Sequence, residues 1–157
     1  MTEYKSKHGT VSKPAYELYM AFCDLSNVVK LLPEDKKAMV QADYDHLDFM
    51  VQGFNIGVKV AQRTPYSRLE LVDNDAPFHF SITIHFDAYA GDPYKTDFYI
   101  DLSADLNFMM KTLVGGKIKD ALNKVVDAMV AVSEGRMPEG MDESMFPEGF
   151  KPNNFPS

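Results

Sequence analysis

His79 and His85 are the residues that first invite a chemical reading. Imidazole is the commonest metal ligand, and three histidines can hold zinc with one position left open. With His46 they would complete such a set. Spacing argues against it. Six residues of extended chain separate the pair by roughly 20 Å, and both fall on the polar phase of their segment, so they are expected to face solvent. Asp43-Tyr44-Asp45-His46-Leu47-Asp48 carries the alternating carboxylates of a calcium loop but lacks its glycine and its final glutamate. It reads as a hairpin connection. Gly115-Gly116-Lys117 lacks the upstream glycine and the following Ser or Thr of a phosphate loop. Cys23 ends an apolar stretch with no Cys or His partner nearby and reads as a buried, inert thiol. The groups left to orient a ligand are Tyr16, Tyr19, Tyr44, Arg63, Arg68 and Tyr94, near predicted strand ends or on short helices. Each is more often a rim residue than a ligand contact. No carboxylate pair, Ser/His/Asp set or activated nucleophile falls on an apolar strand phase, which argues against covalent or strong acid–base catalysis.

The elements that would position these groups follow from hydrophobic period. Residues 3–11 suggest a first strand. Ser12-Lys13-Pro14 offers a capping hydroxyl and a first-turn proline, opening a helix that runs to about Cys23. Asp24-Leu25-Ser26 caps a second short helix, which Pro33 ends. From Lys37 the period becomes two. Phe54, Ile56, Val58 and Val60 alternate with polar neighbours, as do Leu69 and Leu71. Phe78, Phe80, Ile82, Ile84 and Phe86 alternate without error, and Phe98, Ile100, Leu102 and Ala104 follow. One wet and one buried face per strand is the pattern of an antiparallel sheet covered on one side. At Asp105 the period returns to 3.6. Leu106, Met110, Leu113, Ile118, Leu122, Val125, Met129 and Val132 form one stripe, capped by Asp105 and closed by Gly135. The paired glycines inside this helix each cost about 1 kcal/mol relative to alanine. Their reason is a kink, a close helix–sheet approach, or room for a ligand.

The chain has 157 residues, enough for one domain with a sizeable core. Its net charge of −7 argues against nucleic acid and against anionic membrane surfaces, which call for clustered Lys and Arg. One cysteine permits no internal disulfide. Apolar runs such as Ala128–Val132 are too short to cross a bilayer, so no stable membrane insertion is expected. A cytoplasmic protein is the natural reading. Residues 1–134 read as the domain. Residues 135–157 hold four prolines and three glycines and read as a tail. Its Met137, Met141, Met145, Phe146, Phe150 and Phe155 could pack on the domain or join copies into a homo-oligomer.

Two strand-flanked short helices, a meander and one long last helix form a particular order. Ser12-Lys13-Pro14-Ala15-Tyr16-Glu17-Leu18-Tyr19, then Asp24-Leu25 and Leu32-Pro33, then Asp105-Leu106-Asn107-Phe108 leading through Gly115-Gly116, resemble the START-related SRPBCC superfamily of polyketide cyclases, lipid-transfer proteins and pathogenesis-related allergens. The resemblance covers about residues 3–133. It departs from the family in having Tyr19 where many members carry tryptophan, and in its Pro/Gly-rich tail. It implies the α+β helix-grip fold: a seven-stranded curved antiparallel sheet around a long C-terminal helix, with two short helices plugging one end. It also implies a pocket for a hydrophobic or amphipathic small molecule. The expected wall is Phe54, Ile56, Val58, Phe80, Ile82, Ile84, Phe98, Ile100, Leu102, Met109, Leu113 and Val114, with Tyr16, Tyr44, Arg63 and Arg68 as orienting contacts and no cofactor or metal. Burial at roughly 25 cal/mol per Å² would supply most of the affinity. The alternatives are a cyclase- or hydrolase-like enzyme polarising a carbonyl with tyrosine and arginine, and an interaction module with a vestigial cavity.

Overall fold

The computed structural model describes residues 2–30, 38, 40–51 and 54–135. Strands β1 (Thr2–Lys5) and β2 (Gly9–Val11) lead into helices α1 (Ala15–Phe22) and α2 (Ser26–Val29). Strands β3 (Val40–Ala42), β4 (His46–Val51), β5 (Phe54–Thr64), β6 (Arg68–Asp73), β7 (Phe80–Ala88) and β8 (Thr96–Ala104) follow, and helix α3 (Phe108–Ser133) comes last. The strands form one antiparallel sheet in the order β1-β8-β7-β6-β5-β4-β3, with β2 also on β8. The single first strand expected from the sequence is two, sharing one sheet position. Ser6 separates them by pairing with Ile100 through both its backbone N–H (2.9 Å) and its side-chain Oγ (2.8 Å). The chain then swings to α3, where the Lys7 N–H donates to Asn123 Oδ1 (2.7 Å) and the Lys7 ammonium pairs with Asp127.

Residues opposite one another share a sheet face, and the register places the apolar phases together. Phe80, Ile82, Ile84 and Phe86 stand opposite Ala104, Leu102, Ile100 and Phe98. Leu71 and Leu69 face Ile82 and Ile84, and Leu47 and Phe49 face Val58 and Ile56. A bulge between Val60 and Gln62 shifts the phase of β5, so Arg63 rather than Gln62 stands opposite Leu69. Inner-face side chains meet α1 and the C-terminal half of α3. Phe22 lies 5.6 Å from Phe98 and 5.8 Å from Phe86, centroid to centroid.

Helix ends differ from expectation in instructive ways. Pro14 is the residue before α1, and its carbonyl accepts from the Glu17 and Leu18 N–H groups. Ser12 does not cap α1. Its N–H donates to Ser133 Oγ, fastening the two chain segments. At α3 the cap is Asn107, whose Oδ1 accepts from the Met110 N–H (2.9 Å), while the Asp105 N–H is held by the His79 carbonyl. Gly135 takes the left-handed conformation expected of it (φ 79°). Gly9 lets β2 and α3 approach: a Cβ there would lie 2.5 Å from Val126 Cγ1. Pro33 and the tail from residue 136 onward lie outside the described residues.

Candidate functional site

The inner face of the sheet is covered unevenly. At the end closed by α1, side chains are fully enclosed: Leu69, Phe86 and Phe98 with Leu18 of α1 and Val132 of α3. Toward the opposite end burial is mixed: Tyr4, Leu47, Phe49, Ile56, Ile82 and Leu102 are half-buried, while Val58, Leu71, Phe80 and Ala104 are buried. The N-terminal half of α3 offers Met110 and Ile118, also half-buried, across from it. Helix α3 packs chiefly on β1, β2 and β8. Beside α3, on β1, β8 and β7, the half-buried inner-face residues are Tyr4, Leu102 and Ile82, flanked by buried Phe80 and Ala104.

Most expected wall residues lie on this inner face. Val58, Phe80, Ile84, Phe98 and Ile100 are buried, and Ile56, Ile82 and Leu102 half-buried. Met109 is 69% exposed. The helical stripe facing the sheet passes through Met110, Ile118, Leu122 and Val126, and Met110 is the methionine that packs on the core. Neighbours on a helix are about 100° apart, so Met109 and Met110 cannot both face inward. The side chains of Phe54, Leu113 and Val114 lie outside the described residues.

The expected orienting groups do not converge. Tyr16 and Tyr44 are 54% and 51% exposed. Arg68 is on the outer face opposite His85, its Nε 3.5 Å from Glu70. Arg63 has the inner phase but is engaged elsewhere. Its Nε and one terminal nitrogen donate to the Cys23 carbonyl (3.0 and 2.8 Å), that terminal nitrogen also to the Tyr44 carbonyl, and the other to Asp45. The guanidinium carbon sits 3.9 Å over the Tyr44 ring. Burial pushes the Cys23 thiol and the Tyr19 phenol up, against the pull of Arg63 on both, in keeping with an unreactive thiol.

Sequence reasoning missed a polar assembly on the outer face. Tyr99 is sandwiched between His8 and His85, with ring centroids 4.1 and 4.3 Å away. His8 meets Asp97 and His85 meets Asp101, each at 3.0 Å, and the Tyr99 hydroxyl donates to Asp87 at 2.6 Å. The signal was present in the alternation of Asp97, Tyr99 and Asp101 beside His85 and Asp87. It needed the pairing of β1, β2 and β7 with β8 to be read. His79 stands apart on Asp73, whose carboxyl is held below its ordinary range first by the Phe80 N–H and then by His79. Among the described residues no cluster of three or more His, Cys, Asp or Glu is set to hold a metal ion.

The bond to Asp87, with burial, pushes the Tyr99 phenol up to about 12, from an ordinary value near 10. A folded-state value above the unfolded one adds stability that is whole below about pH 10 and is lost as the pH rises toward about 12. Tyr99→Phe is therefore expected to flatten the alkaline fall of the urea midpoint across that window. An identical slope in both proteins would refute the assignment.

No protein-family model matches the chain, and no curated protein sequence matches it significantly. Solved structures do resemble it. One is a START superfamily protein from Mycobacterium smegmatis, 15% identical, with 80% of this chain and 97% of that one covered at a TM-score of 0.54. A protein from Thermobifida fusca is 14% identical over 86% and 94% of the two chains, TM-score 0.60. One from Chromobacterium violaceum is 18% identical over 85% and 99%, TM-score 0.52. The fold is the START-like helix grip, as the sequence pattern implied. Among the described residues no helix is long and apolar enough to cross a membrane.

Proposed function

We propose that this chain, in the cytoplasm, binds a hydrophobic or amphipathic small molecule between the N-terminal half of α3 and the inner face of the sheet. One observation carries the reading: apolar inner-face residues are fully enclosed at the α1 end, yet Tyr4, Leu102 and Ile82 on the strands beside the N-terminal half of α3, and Met110 and Ile118 on it, are only half-buried. A contiguous apolar strip kept partly open is a feature that ligand sites explain. The likeness to a START superfamily protein supports it at the level of fold. Fold by itself does not select a function. The cyclase- or hydrolase-like alternative loses its support, since Arg63 is committed to backbone carbonyls while Tyr16, Tyr44 and Arg68 are exposed.

The test is binding of the fluorescent lipophile N-phenylnaphthylamine to the full chain. Ile82→Trp places a larger ring on the strip and is expected to weaken binding by about tenfold or more, equivalent to at least about 1.4 kcal/mol. Met20→Trp, on the exposed side of α1, is expected to leave it unchanged. Equal affinity in both variants, or no retained lipophile in native mass spectrometry, would remove the pocket from consideration.

A further inference from the structure

We infer that the Tyr4 hydroxyl is the hydrogen-bonding anchor of this site, selecting neutral ligands that carry a carbonyl or hydroxyl group on an otherwise apolar frame. The inference rests on the binding reading above and goes on to name the ligand class. Tyr4 stands opposite Leu102 on the inner phase of β1, half-buried against the core. Its hydroxyl reaches under α3 at Gly115, where a Cβ would lie 3.2 Å from Tyr4 Oη and 3.7 Å from Cε1. A Cβ at Gly116 would meet nothing within 4 Å. Of the two helical glycines, then, Gly115 has a steric reason, and that reason is the head of the Tyr4 phenol.

Among the described residues, Thr2 at the start of β1 shares the inner phase with Tyr4, and the polar groups further along this face are already engaged. Thr96 Oγ1 donates to the Lys13 carbonyl (2.7 Å), Asp73 takes the Phe80 N–H and His79, and Arg63 holds Cys23, Tyr44 and Asp45. Tyr4 Oη has no hydrogen-bond partner among the described residues. The inner-face residues of the same open half are apolar: Leu102 and Ile82 on the strands, Met110 and Ile118 on α3. A phenol placed among apolar neighbours gains most when the occupant brings the missing partner, and a ligand group left unpaired there is penalised. The hydroxyl can donate to a carbonyl or accept from an alcohol. Among the described residues the charged groups of this face, Asp73 and Arg63, are already paired, so a charged headgroup finds no free counter-ion and the class is a neutral amphiphile.

The experiment compares the full chain with Tyr4→Phe, using two fluorescent probes: the naphthyl ketone prodan and the hydrocarbon diphenylhexatriene. The variant keeps the ring and its packing, and a thermal melt checks the fold. Prodan is expected to bind about five- to tenfold more weakly to the variant, the worth of one neutral hydrogen bond, with diphenylhexatriene unchanged. Gly115→Ala favours the helix and forces Tyr4 Oη to give by a few tenths of an ångström. It is expected to weaken prodan in the same sense. Unchanged prodan affinity in Tyr4→Phe, or equal losses for both probes, would overturn the anchor while leaving the pocket standing. Failure of both probes to bind the unaltered chain would overturn anchor and pocket together.

Discussion

Phe98→Ala is expected to lower folding stability by about 3–5 kcal/mol, read as a shift of the urea midpoint at constant slope. The site explains the size. Phe98 is wholly enclosed on β8. Its ring meets Phe22 of α1 at 5.6 Å, edge-on, and Phe86 of β7 at 5.8 Å. Phe86 in turn meets Tyr19 at 6.2 Å. Two elements, α1 and β7, therefore close on one ring of β8, and neither can collapse into the void without dragging its neighbours. With typical domain stabilities of about 5–15 kcal/mol, the variant stands close to unfolding at room temperature. Tyr94→Ala, at a ring 73% exposed, is the control and should stay within about 0.5 kcal/mol. A loss below about 1 kcal/mol for Phe98→Ala would mean the α1 end is loosely packed, and the contrast with the open end would lose its meaning.

How much of this was legible in the residues depends on the range over which each signal acts. The strands β5 to β8 were legible because side-chain alternation is a local consequence of the pleat, and only one phase of each was apolar. Where geometry departs from ideal, local alternation gives no warning. Ideal alternation beyond Val60 would carry Gln62 inward, but one bulge inverts the phase and delivers Arg63 instead. A start at Asp105 or at Asn107 is equally good capping chemistry; the helical stripe already passed through Met110, and the 100° between helical neighbours keeps Met109 off the same face. The His8–Tyr99–His85 stack joins β7, β8 and the link between β1 and β2, and the alternation of its residues could be read only once the strand pairing was known. Most of the residues expected to form the wall were found on one face. Which of them stay half-open was not legible, since it depends on where α3 settles across the sheet.

Arg63→Ala is expected to cost about 2–4 kcal/mol, chiefly from the loss of the charge-assisted bonds to the half-buried Cys23 carbonyl. The argument turns on which of its contacts matter. The pair with Asp45 is half-exposed on the carboxylate side and contributes little. The bonds to the Cys23 and Tyr44 carbonyls are another matter. Cys23 is the C-terminal cap of α1, where a cation complements the helix end. Tyr44 lies in the turn between β3 and β4, and its carbonyl also accepts from the Leu25 N–H. Arg63 thus ties the end of α1 and that turn to β5. Lysine cannot reproduce a planar fork serving two carbonyls, so Arg63→Lys should recover only part of the loss. In the alanine variant, amide exchange should rise in residues 15–29 before it rises in β7 and β8, because the plug loosens while the sheet persists. An enzyme using Arg63 to polarise a substrate carbonyl predicts the reverse: Arg63→Ala near wild-type stability, with the change confined to turnover. Stability within about 0.5 kcal/mol of the unaltered chain would therefore return Arg63 to the site and take away the structural role assigned to it here.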